Sequence, residues 1–260
     1  YSYYQKNLTI RDNEFVSNSA YSSITGLYMN YSDYSVIEKN NIVVPTYYGV
    51  YFYYCDGDTT TSSRFVNNMI SVGGTSTAYC VYSYYSNYVD FYHNTFNTSS
   101  TSSTGRAMYI YYGGDLDLKN NFFTNTGTGY AIYNTSTSTV FTSDYNNLYT
   151  AGGTLGYHGS AAADLTAWQG LTQKDSNSVS AAPNYYGATD LHTMAFSTNG
   201  LATPLGITED IDGELRSLTT PDMGADEFTP PPFEAELVSA ISPMTGCGMG
   251  VEDVIIRVKN

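Results

Sequence analysis

A short motif centred on asparagine recurs six times in the first 150 residues and constrains the fold more than any other feature of the chain. An apolar residue follows each Asn by two places, and in most copies another precedes it by three; the six positions are Asn13, Asn40, Asn68, Asn94, Asn121 and Asn147. Successive copies lie 27, 28, 26, 27 and 26 residues apart. A period of this length is typical of stacked structural repeats, so the first part of the chain is predicted to be an array.

A second motif, an aliphatic residue followed by tyrosine, recurs between the asparagines. The interval from this Tyr to the next Asn is 12 residues in four repeats, whereas the stretch after each Asn varies in length and is rich in Ser, Thr and Gly. Two short strands of alternating pattern per repeat, with no helical period, predict an all-β, right-handed parallel β-helix of about six coils. A propeller blade needs about four strands in about 40 residues, which is more than this period can hold.

The asparagines are predicted to form an internal ladder. Strands of neighbouring coils lie about 4.8 Å apart, and an Asn at a bend can hydrogen-bond to the Asn above and below it. The apolar residues around each Asn are then expected to fill the core. Those three places before it are Ile10, Ile37, Phe65, Phe91 and Leu118, and those two places after it are Phe15, Ile42, Ile70, Phe96, Phe123 and Tyr149.

Four segments are predicted along the chain. Residues 1–149 form the coils, and residues 150–228, with a short helix near 161–171, cap their exposed end. Residues 229–234 include three consecutive prolines and read as an extended linker. Residues 235–260 contain two strand-like runs and are predicted to begin an Ig-like β-sandwich module that this chain does not complete. Because Tyr1 enters in mid-coil, further coils are expected to precede it.

Composition limits the classes of partner. Charged residues make up only 13% of the chain and the net charge is −14, which argues against nucleic acid. No apolar run is long enough to cross a bilayer, so no membrane insertion is expected in this segment. Cys55 and Cys80 fall at positions offset along neighbouring coils and are expected not to pair, while Cys247 is expected to find a partner in sequence beyond this chain.

The tail motifs resemble a known family. Three of them are similar to the ends of right-handed β-helix modules of the choice-of-anchor type: residues 164–169 (DLTAWQ), 210–216 (DIDGELR) and 221–228 (PDMGADEF). These occur in large bacterial surface proteins and adhesins that use type IX secretion. Residues 238–260 are similar to the Ig-like or CARDB-like modules that follow them. The resemblance implies a secreted, cell-surface protein with further modules in the same polypeptide, and it leaves function open.

Outward-facing tyrosines are the candidate binding residues. Aromatic rings on a rigid polar surface can stack on the sugar rings of an extracellular glycan. The alternative is that the same columns only stabilise neighbouring strands. The first column is Tyr1, Tyr28, Tyr51, Tyr82, Tyr109 and Tyr133, and the second is Tyr3, Tyr53, Tyr84 and Tyr111.

No catalytic residue and no metal ligand is assigned from the sequence. His93 is interpreted as a turn residue beside Asn94. Two pairs of carboxylates, each separated by one residue, are interpreted as loop residues: Asp56 with Asp58, and Asp115 with Asp117. The run that starts at Asp210 resembles the beginning of a Ca²⁺ loop but lacks its later ligands. A structural role is favoured there, with Arg216 pairing to a cap carboxylate, and no cofactor is expected, with Ca²⁺ the one candidate left open.

The sequence therefore predicts a non-catalytic structural or adhesive module of a large secreted, cell-surface protein, contacting glycans or another surface through its Tyr columns. The alternative is a carbohydrate-active enzyme, a polysaccharide lyase or hydrolase, on the same scaffold.

Overall fold

A computed structural model describes residues 1–19, 21–230, 236–242 and 254–259. The chain divides into two compact units, Tyr1–Phe228 and Thr229–Asn260. The first unit is a parallel β-helix of six coils, as the repeat predicts, and its strands form three parallel sheets that run the length of the coils.

Each coil contributes one strand to each sheet. Sheet 1 contains β1 (Ser2–Tyr3), β4 (Thr25–Asn30), β7 (Tyr47–Tyr53), β10 (Ala78–Tyr84), β13 (Arg106–Tyr111), β16 (Tyr130–Asn134) and β19 (Gly156–His158), with β20 (Ser160–Ala162) antiparallel at its end. Sheet 2 contains β2 (Thr9–Arg11), β5 (Val36–Glu38), β8 (Ser63–Val66), β11 (Asn87–Tyr92), β14 (Gly114–Lys119) and β17 (Phe141–Asp144). Sheet 3 contains β3 (Glu14–Val16), β6 (Asn41–Val44), β9 (Met69–Val72), β12 (Thr95–Thr98), β15 (Phe122–Asn125) and β18 (Asn147–Thr150).

The sequence pattern predicted two strands per coil, and the structure has three because the asparagine-centred strand is bent in two. The residue before each ladder Asn adopts a left-handed conformation, with φ between 51° and 62° in the first five coils; these are Asp12, Lys39, Asn67, His93 and Asn120. A residue in this region ends one extended segment and redirects the next. Sheets 2 and 3 therefore meet at a sharp corner occupied by the asparagines.

Side-chain amides connect the coils at this corner. The Nδ2 group of each ladder Asn donates to Oδ1 of the Asn in the next coil over 2.9–3.1 Å, and the same Oδ1 accepts the backbone N–H of the preceding Asn. The rungs are Asn13, Asn40, Asn68, Asn94, Asn121 and Asn146.

The last rung is therefore Asn146, and the sequence-based assignment of Asn147 is displaced by one residue. In this coil the left-handed residue is Tyr145, with φ 57°, and strand pairing places Phe122 opposite Asn147. Asn147 instead bonds to both backbone groups of Ala181. The same displacement explains why Leu148 fills the core and Tyr149, predicted to do so, lies half-buried on the outside.

The core lies inside the three sheets and contains the predicted apolar columns. Ile37, Phe65, Phe91 and Leu118 line it from sheet 2 with at most 1% exposure, and Ile42, Ile70, Phe96 and Phe123 line it from sheet 3 with none. Ile10 and Phe15 of the first coil are only partly buried. Burial of such stacked side chains is the main favourable term in the folding of these coils.

Residues 155–179, here called the end cap, close the last coil. Helix α1 (Leu165–Thr172) begins after Asp164, whose carboxylate accepts the Ala167 N–H over 2.8 Å. Its Trp168 is fully buried against the core, and the indole N–H donates to Asp175 over 2.7 Å. The other oxygen of Asp175 accepts from the hydroxyls of Ser143 and Ser178 and from Asn146, so the end cap terminates both core and ladder.

Residues 181–228, here called the strap, do not cap the end as predicted but run back along the side of the coils. The outward face of sheet 3 carries apolar side chains, including Met69 and Phe122, which need cover. Leu191 and Ala225 of the strap pack on Met69, and Met223 packs on Phe122. The strap passes from Asn147 at one end to Lys39, whose ammonium lies 2.9 Å from Glu209.

In the second unit, β21 (Glu236–Ser242) and β22 (Ile255–Lys259) pair antiparallel, with two shifts of register. Cys247 and most of the predicted Pro-rich linker lie outside the described residues. In the described part of the chain no helix has the length and apolarity needed to cross a bilayer.

Asn94→Ala tests the ladder. Asn94 bonds to Phe65, Asn68 and Asn121 and is fully buried, so its loss leaves buried amide groups without partners. We expect the free energy of unfolding in urea to fall by about 3 kcal/mol. Asn18→Ala, at an exposed position, should change it by less than about 0.5 kcal/mol. Equal effects of the two substitutions would contradict the ladder's role.

Candidate functional site

Sheet 1 carries the tyrosines on its outward face. Strand pairing places Tyr28, Tyr51, Tyr82, Tyr109, Tyr133 and Tyr157 in one column. A second column contains Tyr3, Tyr53, Tyr84 and Tyr111, with Asn30 occupying the place between the first two. The candidate tyrosines therefore lie on one continuous surface, here called the tyrosine face, whereas the strap packs on sheet 3.

A third column was not predicted. Tyr4, Tyr31, Tyr54, Tyr85 and Tyr112 follow the strands of sheet 1, each with φ between 50° and 56° except Tyr31 at 45°. Their rings stack in sequence at 5.1–5.2 Å between centroids, with interplanar angles of 10° or less. The signal was present in the sequence, because each lies three residues after a Tyr of the first column. It was missed because a left-handed tyrosine is uncommon.

Ring faces within a column largely cover each other. Tyr51 and Tyr82 stack at 4.6 Å and 5°, and Tyr82 and Tyr109 at 4.8 Å and 9°. At such distances parallel rings must overlap face to face in an offset stack. Neighbouring columns are nearly perpendicular, as between Tyr82 and Tyr84 at 85°. The face thus offers ring edges and phenol groups to solvent, and few free ring faces.

The packed rings also desolvate their hydroxyl groups. Burial raises the pKa of several of these phenols above the ordinary value of 10.0, with neighbouring tyrosines acting in the same direction; they are Tyr48, Tyr51, Tyr79, Tyr82 and Tyr109. At neutral pH the phenols of the face are therefore uncharged, hydrogen-bonding hydroxyls on an apolar base.

Arg106 is a cation set among these rings. Its guanidinium carbon lies 4.2 Å from the Tyr133 centroid and 4.9 Å from that of Tyr109, within the range of cation–π contacts. Its Nη1 group donates to the Tyr79 hydroxyl over 3.0 Å. Arg106 thus holds three tyrosines together.

A group of charged residues on the outward face of sheet 2 was also missed. Arg64, Asp90 and Asp117 occupy one column in successive coils, and Asp117 accepts hydrogen bonds from Tyr92 over 2.6 Å and from Lys119 over 2.8 Å. Burial raises the pKa of Asp90, and the charge of Asp117 acts in the same direction. The sequence did contain one indication that these residues form a column, because each precedes its ladder Asn by four residues.

His93 is a turn residue in the structure. It has φ 51° and is 1% exposed. Its Nε2 atom lies 2.8 Å from the amide nitrogen of Asn120. Burial holds its pKa well below the ordinary value, and the nearby Arg216 guanidinium adds to this, so the ring is neutral and sealed under the strap. Cys55 and Cys80 are unpaired and buried.

Of the four carboxylates interpreted from the sequence as loop residues, Asp56 and Asp58 serve turns, whereas Asp115 and Asp117 lie in strand β14. Asp56 accepts from the backbone and side chain of Asn87, and Asp58 from Thr60 and Thr61. Asp115 has a left-handed backbone conformation and is exposed. Leu116 and Leu118, on either side of Asp117, face inward.

The run that starts at Asp210, which resembles the beginning of a Ca²⁺ loop, does not converge on a common point. Both oxygens of Asp210 accept backbone N–H groups, from Asp212 and Glu214 on one side and from Glu227 on the other. Glu214 is exposed. Arg216 pairs with Glu227 over 3.2 Å, the structural role favoured from the sequence. Asp212 lies 2.8 Å from His192, whose pKa two neighbouring carboxylates raise to about 9 despite partial burial.

Comparison with known proteins gives one family. Residues 1–107 match the family described as periplasmic copper-binding protein (NosD), which is less than half of the chain. NosD is a parallel β-helix family, in agreement with the coils described above. Searches of curated proteins and of solved structures return no match to the chain. The coils are thus a β-helix module similar to NosD over their first 107 residues.

The desolvated phenols predict a specific loss of stability at high pH. Since their folded-state pKa lies above the unfolded value of 10.0, their contribution is complete below pH 10 and disappears as pH rises further, where the unfolded chain ionises first. We expect the urea midpoint to be level from about pH 8 to 9.5 and to fall above about pH 10. A variant with Tyr51, Tyr82 and Tyr109 changed to Phe should fall less steeply; an equal slope would contradict the assignment.

Proposed function

We propose that this chain is a non-catalytic module of a large secreted, cell-surface protein, and that the tyrosine face binds extracellular glycan. The observation that carries the proposal is the tyrosine face itself: three stacked, half-buried columns on a rigid sheet, on a different face of the coils from the one that the strap packs on. The hydroxyl edge of this surface is not needed for ring stacking, which Phe would provide equally, but it can hydrogen-bond to a polar ligand.

The ring geometry changes the expected mode of binding. Because the faces of Tyr51, Tyr82 and Tyr109 are used in stacking on one another, sugar rings would meet phenol groups and ring edges. Hydroxyl groups of a glycan can exchange hydrogen bonds with such phenols, each of which both donates and accepts. The stacks also fix the rings before binding, which lowers the entropy cost of ordering them.

The proposed location rests on similarity. The NosD family is described as periplasmic, and the tail motifs resemble surface proteins of the type IX route. In this proposal the coils and strap form a rigid segment, and residues 235–260 begin an Ig-like module of the same polypeptide. A module with repeated identical contacts gains strength through multivalency rather than through one deep pocket.

Copper binding is not proposed for the NosD-like segment. The soft ligands that copper prefers are His, Cys and Met, and within residues 1–19 and 21–107 these are Met29, Cys55, Met69, Cys80 and His93, each at most 3% exposed. Burial raises the pKa of the Cys55 thiol to about 12, which disfavours the thiolate that binds metals. The residues present do not fit a surface copper site.

Changing Tyr51, Tyr82 and Tyr109 together to Phe tests glycan binding. Phe keeps the stacked rings and removes the hydroxyls, so the thermal midpoint should move by only a few degrees, while binding on a glycan array should weaken at least about tenfold. A control with the exposed Tyr21 and Tyr186 changed to Phe should bind as the parent does. Undiminished binding by the triple variant, or no glycan bound by the parent, would count against the tyrosine face.

The alternative function, a polysaccharide lyase or hydrolase, is favoured by one observation. Asp90 and Asp117 lie in one column of sheet 2; burial raises the pKa of Asp90, and Asp117 accepts hydrogen bonds from Tyr92 and Lys119. A pair of neighbouring carboxyl groups is the arrangement used for acid–base work on glycosidic bonds.

An assay for polysaccharide cleavage distinguishes a glycan-binding module from an enzyme. If the module is non-catalytic, the parent releases neither unsaturated ends, followed by absorbance, nor reducing ends from acidic polysaccharides. If it is an enzyme, Asp90→Asn and Asp117→Asn should each abolish release, by about a hundredfold or more, while Asp115→Asn retains it. Release by the parent would refute the non-catalytic proposal.

A further inference from the structure

A cluster of three potential metal ligands lies at the far end of the strap, away from the tyrosine face. A ring nitrogen of His192 and one carboxylate oxygen each of Asp212 and Asp226 lie within 4.8 Å of one another. A metal ion with bonds of about 2.0–2.2 Å spans nearly this distance. The three atoms therefore surround a space of the right size for a single ion.

The ring of His192 is oriented by a fourth residue. Its Nδ1 atom lies 2.6 Å from Asp190, and its Nε2 atom points to Asp212 at 2.8 Å. A carboxylate on the second nitrogen of a histidine is the usual support for a metal-binding imidazole, since it fixes the ring and raises its basicity. Asp190 stands in this position on Nδ1, and an ion bound at Nε2 would replace the proton that this nitrogen shares with Asp212.

Asp226 is the most buried of the three ligands. It is only 8% exposed, and burial raises its pKa to about 6, while the charge of His192 and the backbone N–H of Thr193 favour its ionised form. A buried carboxylate is normally paired or bound to a metal. The surrounding Asp190 and Asp212 add negative charge, which one imidazole cannot balance.

The ligands are held on a rigid base. The backbone N–H of Ile211 donates to Ala225 over 2.9 Å, which joins the segments that carry Asp212 and Asp226. Leu191 is buried beneath His192 and packs with Met69 and Ala225. Tyr186 donates its backbone N–H to the carbonyl of His192 over 3.0 Å. Little reorganisation is needed for an ion to bind.

We propose that His192, Asp212 and Asp226 bind a divalent transition-metal ion, with Zn²⁺ the best fit. One imidazole and two carboxylates suit zinc, which takes three protein ligands and keeps a further position open. His192 and Asp212 also line a groove of about 660 Å³, which Lys39 of the coils borders. Ca²⁺ fits less well, since it takes six to eight oxygen ligands. This site lies outside the NosD-like residues and is independent of glycan binding.

Calorimetric titration of the chelator-treated 260-residue chain with ZnCl₂ tests the proposal. We expect one saturable site and a rise in thermal midpoint on adding Zn²⁺. The nearly isosteric substitutions Asp212→Asn and Asp226→Asn should each weaken Zn²⁺ binding by more than about a hundredfold. Asp190→Asn, which removes only the carboxylate that orients His192, should weaken it by about 10- to 100-fold. His158→Gln, at a histidine outside the cluster, should bind as the parent does.

Three results would overturn the assignment: no saturable binding by the parent, unchanged binding by both Asn variants, or Ca²⁺ binding as tightly as Zn²⁺. The variants' thermal midpoints without metal show whether each is folded. If one is not, anomalous diffraction at the zinc edge from soaked crystals of the parent decides independently. Zinc density between His192, Asp212 and Asp226 supports the site, and zinc elsewhere refutes it.

Discussion

The hydrogen bond between one side-chain amide and the next is the interaction on which the rest of this structure depends. At the corner between sheets 2 and 3 the backbone turns through a left-handed residue, and the polar groups exposed by that turn lie inside the coil. Buried polar groups without partners are destabilising. Asparagine satisfies them, because a rung such as Asn68 bonds to Val66 in its own coil, to Ile37 in the coil before and to Asn94 in the coil after. Each coil is thereby locked in register with its neighbours.

Fixed register makes every position of the repeat a column, and the columns explain the surfaces of the molecule. On sheet 1 this brings tyrosine above tyrosine at the spacing of strands, so the rings become a continuous stack. On sheet 2 it brings Arg64, Asp90 and Asp117 into line. Residues far apart in sequence thus act as one group, and a substitution in one coil is felt by the coils on either side.

The fold could be predicted from the sequence because its signal is periodic. Six copies of one motif establish the coil, and the apolar residues around Asn40, Asn68, Asn94 and Asn121 lie in the core as predicted. The predictions that were wrong concern local backbone geometry. The bend at residues such as Lys39 splits one expected strand into two, since left-handed backbone leaves little trace in composition, and a coil of 25 rather than 26 residues displaces the last rung to Asn146.

The candidate sites were harder to foresee, for physical reasons. The column of Tyr4, Tyr31, Tyr54, Tyr85 and Tyr112 and the charged column of sheet 2 follow the repeat and were open to discovery by position alone. The group of His192, Asp212 and Asp226 has no periodic signal, because it forms where three separate parts of the strap meet. The stacking that covers the ring faces of these tyrosines likewise depends on side-chain torsions, which sequence spacing does not specify.

The backward course of the strap has a consequence for how such a chain can change in length. In an open array of repeats, coils can be gained or lost because each contacts only its neighbours. Here the strap is anchored at Asn147 in the last coil, at Asn120 and Asn67 along the way, and at Lys39 near the beginning. A coil duplicated between these anchors would lengthen the rod but not the strap. We therefore expect a coil inserted between these anchors to break strap contacts, whereas an insertion outside the anchored span would leave them intact.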